Sequence, residues 1–237
     1  MALRPDTIHA LREQVAWACR ILALEGYADL TLGHVSARPA GGDTIYIKRK
    51  GVALDEVEPD DVVDLDDPTA ELHLETILHT EIYARRPDVG AVVHGHPPFA
   101  TAFGATNAEL ELLTHDAVLF AEGVAFFEES AELITERAQG RAVAEALGSR
   151  RALILRNHGV VVADKDVRWA VLSAVTLERA IRLQRIASTL GELRPISKEV
   201  AKGLFADKYQ ERFLDEYWAA WIRQARRAGA DDGMGRE

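Results

Sequence analysis

Apolar residues recur at three- and four-residue spacing from residue 5 to 25, with Ile8, Leu11, Val15, Ala18, Cys19 and Leu22 on one stripe. That period predicts an amphipathic helix, opened by Pro5 and ended by Gly26. The pattern then changes. Residues 32–38 and 44–47 read as short strands, and Gly41-Gly42-Asp43 between them is turn chemistry, so the two should form a hairpin. Another short strand is expected over 62–65, after the acidic turn at 58–61. Helical spacing returns over 72–86, where Leu74, Ile77, Leu78 and Ile82 make one apolar face, and Pro87 stops it.

The segment Gly90 to His94 is apolar and β-branched, as a buried strand requires, and His96-Pro97-Pro98 breaks it. A helix over 131–147 ended by Gly148, strands at 152–155 and 159–163, and long helices over 166–190 and 205–227 complete the pattern. No repeat and no Gly/Ser/Pro-rich linker divides the chain. The reading is one domain over 1–228 with a flexible tail over 229–237, which has nothing to bury. Helices interleaved with short strands around one core predict an α/β or α+β class.

Composition narrows the partners. With 28 Lys+Arg against 38 Asp+Glu, the net charge of −10 argues against nucleic acid or an anionic membrane. It leaves room for a small anionic substrate in a local basic pocket. The single cysteine, Cys19, forbids an intrachain disulfide and a multi-cysteine zinc site. No apolar run approaches the roughly 18 residues of a membrane span. The opening MALRPDTIHALREQ lacks the apolar core of a signal peptide, so a cytoplasmic location is expected.

The chemistry gathers at histidines. In an extended His94-Gly95-His96 both imidazoles project to one side, and Gly95 would leave room for a ligand. Asn157-His158-Gly159 follows a predicted strand, which puts a third imidazole where a strand leaves the core. Three imidazoles with an open position are the protein half of a catalytic zinc-type site, and suit Mn²⁺, Fe²⁺ or Co²⁺ as well. Glu75, one helix upstream, reads from spacing alone as a solvated helix charge. Near a metal it would bind the ion or carry protons.

Read together, LGHVSAR (32–38), LETILHTEIYARRPDVGAVVHGHP (74–97) and LRNHGVVV (155–162) resemble the class II aldolase/adducin family, over residues 7–190. The resemblance implies a three-layer α/β/α sandwich with a central mixed sheet, and homotetramers with sites near subunit interfaces. It also implies a divalent metal on His94, His96 and His158, with Glu75 as the catalytic acid/base.

The departures from the sugar-phosphate members bear on the substrate. Those members carry Gly-Asn-x-Ser, Thr-Gly and Ser-Ser motifs whose donors cradle a phosphate. This chain has Gly33-His34-Val35-Ser36, Lys50-Gly51 and His73-Leu74 in their place. A phosphate stripped of those donors is poorly held. Cationic groups replace them: His34, Lys48, Arg49, Lys50 and His73. Either one of these cations holds a substrate carboxylate by charge-assisted hydrogen bonds, or the IKRKG run is a solvated hairpin end. The substrate-binding set is accordingly read as His34, Ser36, Lys50, Gly51 and His73. The pattern is similar to the branch that decarboxylates hydroxylated aromatic or pyridine dicarboxylates. Such a reaction, like aldol cleavage, leaves electrons on a carbon next to an oxygen, where a metal stabilises the charge that develops.

Two alternatives stand beside that reading: an aldolase or dehydratase on a sugar or hydroxy-keto acid, and a non-enzymatic adducin-type module. The second would not need the histidines and Glu75 that this chain keeps. His79, four residues after Glu75, would either orient it or fill a packing gap. His115-Asp116 and His9 read as structural or surface groups. Tyr209, Phe213, Tyr217 and Trp221 share one spacing, more that of a packing stripe than of a proton donor.

Overall fold

A computed structural model describes residues 5–229, with side chains from Thr7 onward. The helix predicted first is α1 (Pro5–Leu22), continued by a kinked turn that Gly26 ends at φ 98°. Next come β1 (His34–Ala37), β2 (Tyr46–Lys48) and β3 (Val62–Asp64), then α2 (Thr76–Arg85) and β4 (Ala91–Gly95). They are followed by α3 (Pro98–Gly104), β5 (Ala125–Phe127), α4 (Arg137–Leu147), β6 (Ala152–Leu155) and β7 (Gly159–Asp164). Three helices finish the described chain: α5 (Val167–Leu190), α6 (Lys198–Lys208) and α7 (Glu211–Arg227).

The strands form one seven-stranded sheet in the order β3-β2-β1-β4-β7-β6-β5. Among the described strands only β5 and β6 run parallel, so the sheet is mixed as expected. Successive side chains of the central strands enter different cores. Ala91 and Val93, Ile154, and Val160 and Val162 pack with α1, α3, α5, α6 and α7. Val92, Leu153, Leu155, Val161 and Ala163 pack with α2 and α4. Burial on both faces explains why these strands read as continuous apolar runs. Helices on both sides of the sheet make the three layers.

Several boundaries differ from the sequence reading. The helix expected from 131 begins at Arg137, where Glu136 and Gln139 form a capping box. Leu74, expected on the apolar face of α2, precedes that helix and is 66% exposed. The helix expected over 205–227 is two helices, broken at Tyr209-Gln210, and Tyr209 therefore does not share a stripe with Phe213, Tyr217 and Trp221. The short α3 and β5 were not anticipated. Pro98 in the first turn of α3 was an available signal. That turn is capped from α5, where the Glu178 carboxylate accepts the Phe99 and Ala100 N–H groups at 2.9 and 2.8 Å. Of the expected tail, 229–237, only Gly229 lies within the described residues.

Candidate metal centre

The first strand register sets the site. His94 on β4 lies opposite His34 on β1, and Val92 opposite Ser36. By alternation all four face α2. The Glu75 side chain comes from the residue just before α2.

His94, His96 and His158 converge. Their ring centroids are 5.0, 5.2 and 5.3 Å apart, close to an equilateral triangle. His94 comes from the end of β4 and His96 from just beyond it. His158 comes from the tight β6–β7 turn, where Asn157 adopts a positive φ of 57°. Asn tolerates that conformation better than most residues, which gives the Asn-His-Gly sequence a physical basis.

Two glycines let the backbones close in. A Cβ at Gly159 would lie 2.6 Å from both Gly95 O and His96 Cδ2. A Cβ at Gly95 would lie 2.9 Å from the Tyr27 ring. The expectation that Gly95 makes room for a ligand is therefore corrected: it makes room for Tyr27, whose hydroxyl is anchored on Ala174 O at 2.8 Å.

The ring orientations are set from behind. His94 Nδ1 lies 3.0 Å from Val160 O, and His96 Nδ1 lies 2.9 Å from the Asp29 carboxylate. Both partners only accept, so each Nδ1 carries a proton, which leaves each Nε2 available to offer a lone pair to an ion. Among the described residues His94 Nε2 is buried without a hydrogen-bond partner. Such an atom is costly unless something binds it, and a ring held by a carbonyl or carboxylate behind it is the usual state of a metal-ligating histidine. The donor set fits a divalent ion. Among the described residues two groups have ligand atoms within 4.8 Å of one another: His94, His96 and His158, and His34, Glu75 and His94.

Glu75 is not a solvated charge; it is 8% exposed. Its Oε1 accepts the Ile134 N–H at 3.0 Å, and its Oε2 lies 3.5 Å from Nε2 of both His94 and His158. The non-helical stretch before α4 is what brings Ile134 N–H within reach. Burial alone would raise the Glu75 pKa. The His158 and His94 rings and the Ile134 N–H outweigh it, and hold the carboxyl well below the usual range.

The other predicted contacts divide. His34 is buried beside the triad, with its ring 5.0 Å from His94 and 4.5 Å from His73. Burial, with neighbouring rings, lowers the pKa values of His34, His73 (to about 4), His79 (to about 3) and His96. Ser36 is wholly buried and its hydroxyl is engaged by His79 and Tyr83, so it does not face a ligand. Lys50 and Gly51 sit on the exposed turn after β2, where the Lys50 N–H is bonded to Glu71 O.

The buried cation is Lys48, 0% exposed, whose ammonium contacts Thr31 O at 3.0 Å and His73 Nε2 at 3.2 Å. Burial lowers its pKa. No carboxylate pairs with it among the described residues. Asp29 and Ile134 were missed by the sequence reading, and no motif marks either. His79 bonds His34 and Ser36, not Glu75. His115 and His9 are exposed, and Tyr209 donates to Asp116 O at 2.7 Å, in a structural role.

Residues 13–185 match the family model described as Class II Aldolase and Adducin N-terminal domain. The chain is 32% identical to a 3,4-dihydroxyphthalate decarboxylase of Arthrobacter keyseri, over 81% of this chain and 85% of that one. It is 31% identical to an L-fuculose phosphate aldolase of Methanococcus maripaludis, over 73% and 94%. Among solved structures, an aldolase II superfamily protein from Pseudomonas syringae superposes with a TM-score of 0.83 at 26% identity, covering 97% of this chain and 96% of that one.

Proposed function

The chain belongs to the class II aldolase and adducin family, and on that premise we propose that it is a divalent-metal-dependent carbon–carbon lyase, decarboxylating a hydroxylated aromatic or heteroaromatic dicarboxylate. The observation that carries this reading is the triangle of His94, His96 and His158 with the unpartnered His94 Nε2 in it. These three would hold one ion per chain, zinc or manganese, with iron or cobalt equally suited to the donors. Such an ion supplies Lewis-acid polarisation of a substrate oxygen when bound.

The residues do the rest. Glu75 would hold or hand over a proton at Oε2, the oxygen that Ile134 leaves free. His34 and His73 form an imidazole wall beside the triad, with the Lys48 charge behind it. Among the described residues that charge is in ion-pair contact with no carboxylate, so it makes the pocket attractive to a carboxylate. Leu74 offers no donor where sugar-phosphate members carry a serine, which favours a carboxylate over a phosphate. The similarity to a 3,4-dihydroxyphthalate decarboxylase supports the same class.

The reading includes one catalytic domain over 1–228 and a homotetramer with sites near subunit interfaces. Exposed Leu30, Leu32, Leu74 and Leu133, chain neighbours of Asp29, Thr31, Glu75 and Ile134, support an assembly that covers this rim. Light scattering tests it, and a monomer would remove it. Among the described residues no helix is long and apolar enough to cross a membrane. A cytoplasmic location belongs to the same proposal.

The experiment is CO₂ release from 3,4-dihydroxyphthalate and hydroxypyridine dicarboxylates by chelator-stripped protein, with and without added Mn²⁺ or Zn²⁺. Metal-dependent release is expected. Tight metal binding with no release would return the substrate to aldol cleavage, the reading that the L-fuculose phosphate aldolase relative favours.

A further inference from the structure

A buried row of hydrogen bonds leads from the pocket into the layer between the sheet and α2. His34 Nδ1 lies 2.7 Å from His79 Nε2, and His79 Nδ1 lies 2.6 Å from the Ser36 hydroxyl. That hydroxyl is 2.9 Å from the Tyr83 hydroxyl. All four residues are buried. Two periods meet here. His34 and Ser36, two apart on β1, share a face, and His79 and Tyr83, four apart on α2, share another.

Each link holds one proton, and the links are coupled. A neutral imidazole has one N–H and one lone pair, and a hydroxyl has one proton. The far end fixes the direction. Among the described residues the Tyr83 hydroxyl has Ser36 Oγ as its one acceptor, and a buried O–H without an acceptor is costly. Tyr83 therefore donates to Ser36. Ser36 has one other partner and donates to His79 Nδ1. His79 then carries its proton on Nε2 and donates it to His34 Nδ1. The His34 proton is left on Nε2. In the opposite direction the Tyr83 proton would be stranded in the interior.

We propose that this row makes His34 a fixed Nε2–H donor beside Glu75 and His94, presented to an anionic oxygen of the bound substrate, with His79, Ser36 and Tyr83 as positioning residues. What the donor meets rests on the lyase reading above; where its proton lies does not. Ser36 thereby acquires a role that involves no ligand contact. The row also gives His79 a specific task, which its helix spacing to Glu75 did not reveal.

Neutron diffraction from deuterium-exchanged crystals of the metal-loaded protein reads the row directly. Deuterium is expected on Nε2 of both His34 and His79, and on neither Nδ1. Deuterium on His34 Nδ1 overturns the proposal. Kinetics give a second readout. His79→Gln keeps an N–H where Nε2–H stands, and should retain most of kcat/KM. His79→Leu has similar bulk and no donor, and should lose about tenfold, the worth of one hydrogen bond. Equal losses in the two variants overturn the positioning role. CO₂ release decides the lyase reading separately. Nε2 deuterium in a protein that releases no CO₂ would sink that reading and keep the donor. Nδ1 deuterium in an active decarboxylase would do the reverse.

Discussion

His34 on β1 and His94 on β4 are direct partners in the antiparallel ladder, with ring centroids 5.0 Å apart. Because strand side chains alternate, a slip of one residue would turn His94 away from α2 and dismantle the site. The apolar pair beside them, Val35 and Val93, is buried on the other face and pins the register. The ladder is held by its backbone pairs and by these valines, and His94 Nε2 takes part in neither, having no hydrogen-bond partner among the described residues. His94→Ala should therefore keep its circular dichroism spectrum and lose its metal, read by elemental analysis after gel filtration. Tight metal binding by the variant would sink the triad.

Asp29 gives a second prediction. Its carboxylate holds His96 Nδ1 at 2.9 Å, so Asp29→Asn should leave the ligands intact but loosen one of them. Metal affinity, measured by competition with a chromophoric chelator, should fall roughly 10- to 100-fold. An unchanged affinity would mean that His96 is oriented by something else.

Why the sequence yielded the three converging histidines but not Asp29 has a physical answer. His94, His96 and His158 sit at strand ends within short motifs, and the ends of apolar runs are visible in sequence. Asp29 lies 67 positions from His96 and Ile134 lies 59 from Glu75, and both act through contacts no local pattern encodes. The same holds for the IKRKG run. Three adjacent cations cannot be ranked by composition, and only β2 pairing with β1 and β3 shows that Lys48 is the one taken inside. The sheet and its long helices were legible because their periods are strong. The misses, α3, β5 and the break at Tyr209, fall where an element is short or a helix bends for tertiary reasons.

Glu75→Gln preserves the acceptor for Ile134 N–H and removes the charge beside His94 and His158. The variant should still bind metal while turnover falls by roughly 10²–10⁴, the usual worth of a positioned acid/base. Full-speed CO₂ release by this variant would take the proton role away from Glu75.

Lys48→Met removes a buried charge that makes no ion pair among the described residues. If that charge attracts the substrate carboxylate, KM should rise about tenfold with a smaller change in kcat. The salt dependence of kcat/KM should flatten in the same variant, because a missing charge cannot be screened. A KM unchanged across salt concentrations in both proteins would show that Lys48 is only a packing element.

The buried imidazoles predict how stability varies with pH. An unfolded histidine titrates near 6.5, whereas burial first, then neighbouring charges, depresses His73 to about 4 and His79 to about 3. Between those values the unfolded chain binds protons that the folded chain refuses, so stability falls as pH falls. The loss should begin below about pH 6.5, above the range where most carboxylates protonate, which assigns it to histidine. Urea midpoints of the metal-free protein, measured from pH 7.5 to 4.5, should decline steadily across this window. His79→Gln, which has no proton to gain, should decline less steeply. A flat profile in the wild-type protein would mean that these rings are not held neutral by the fold.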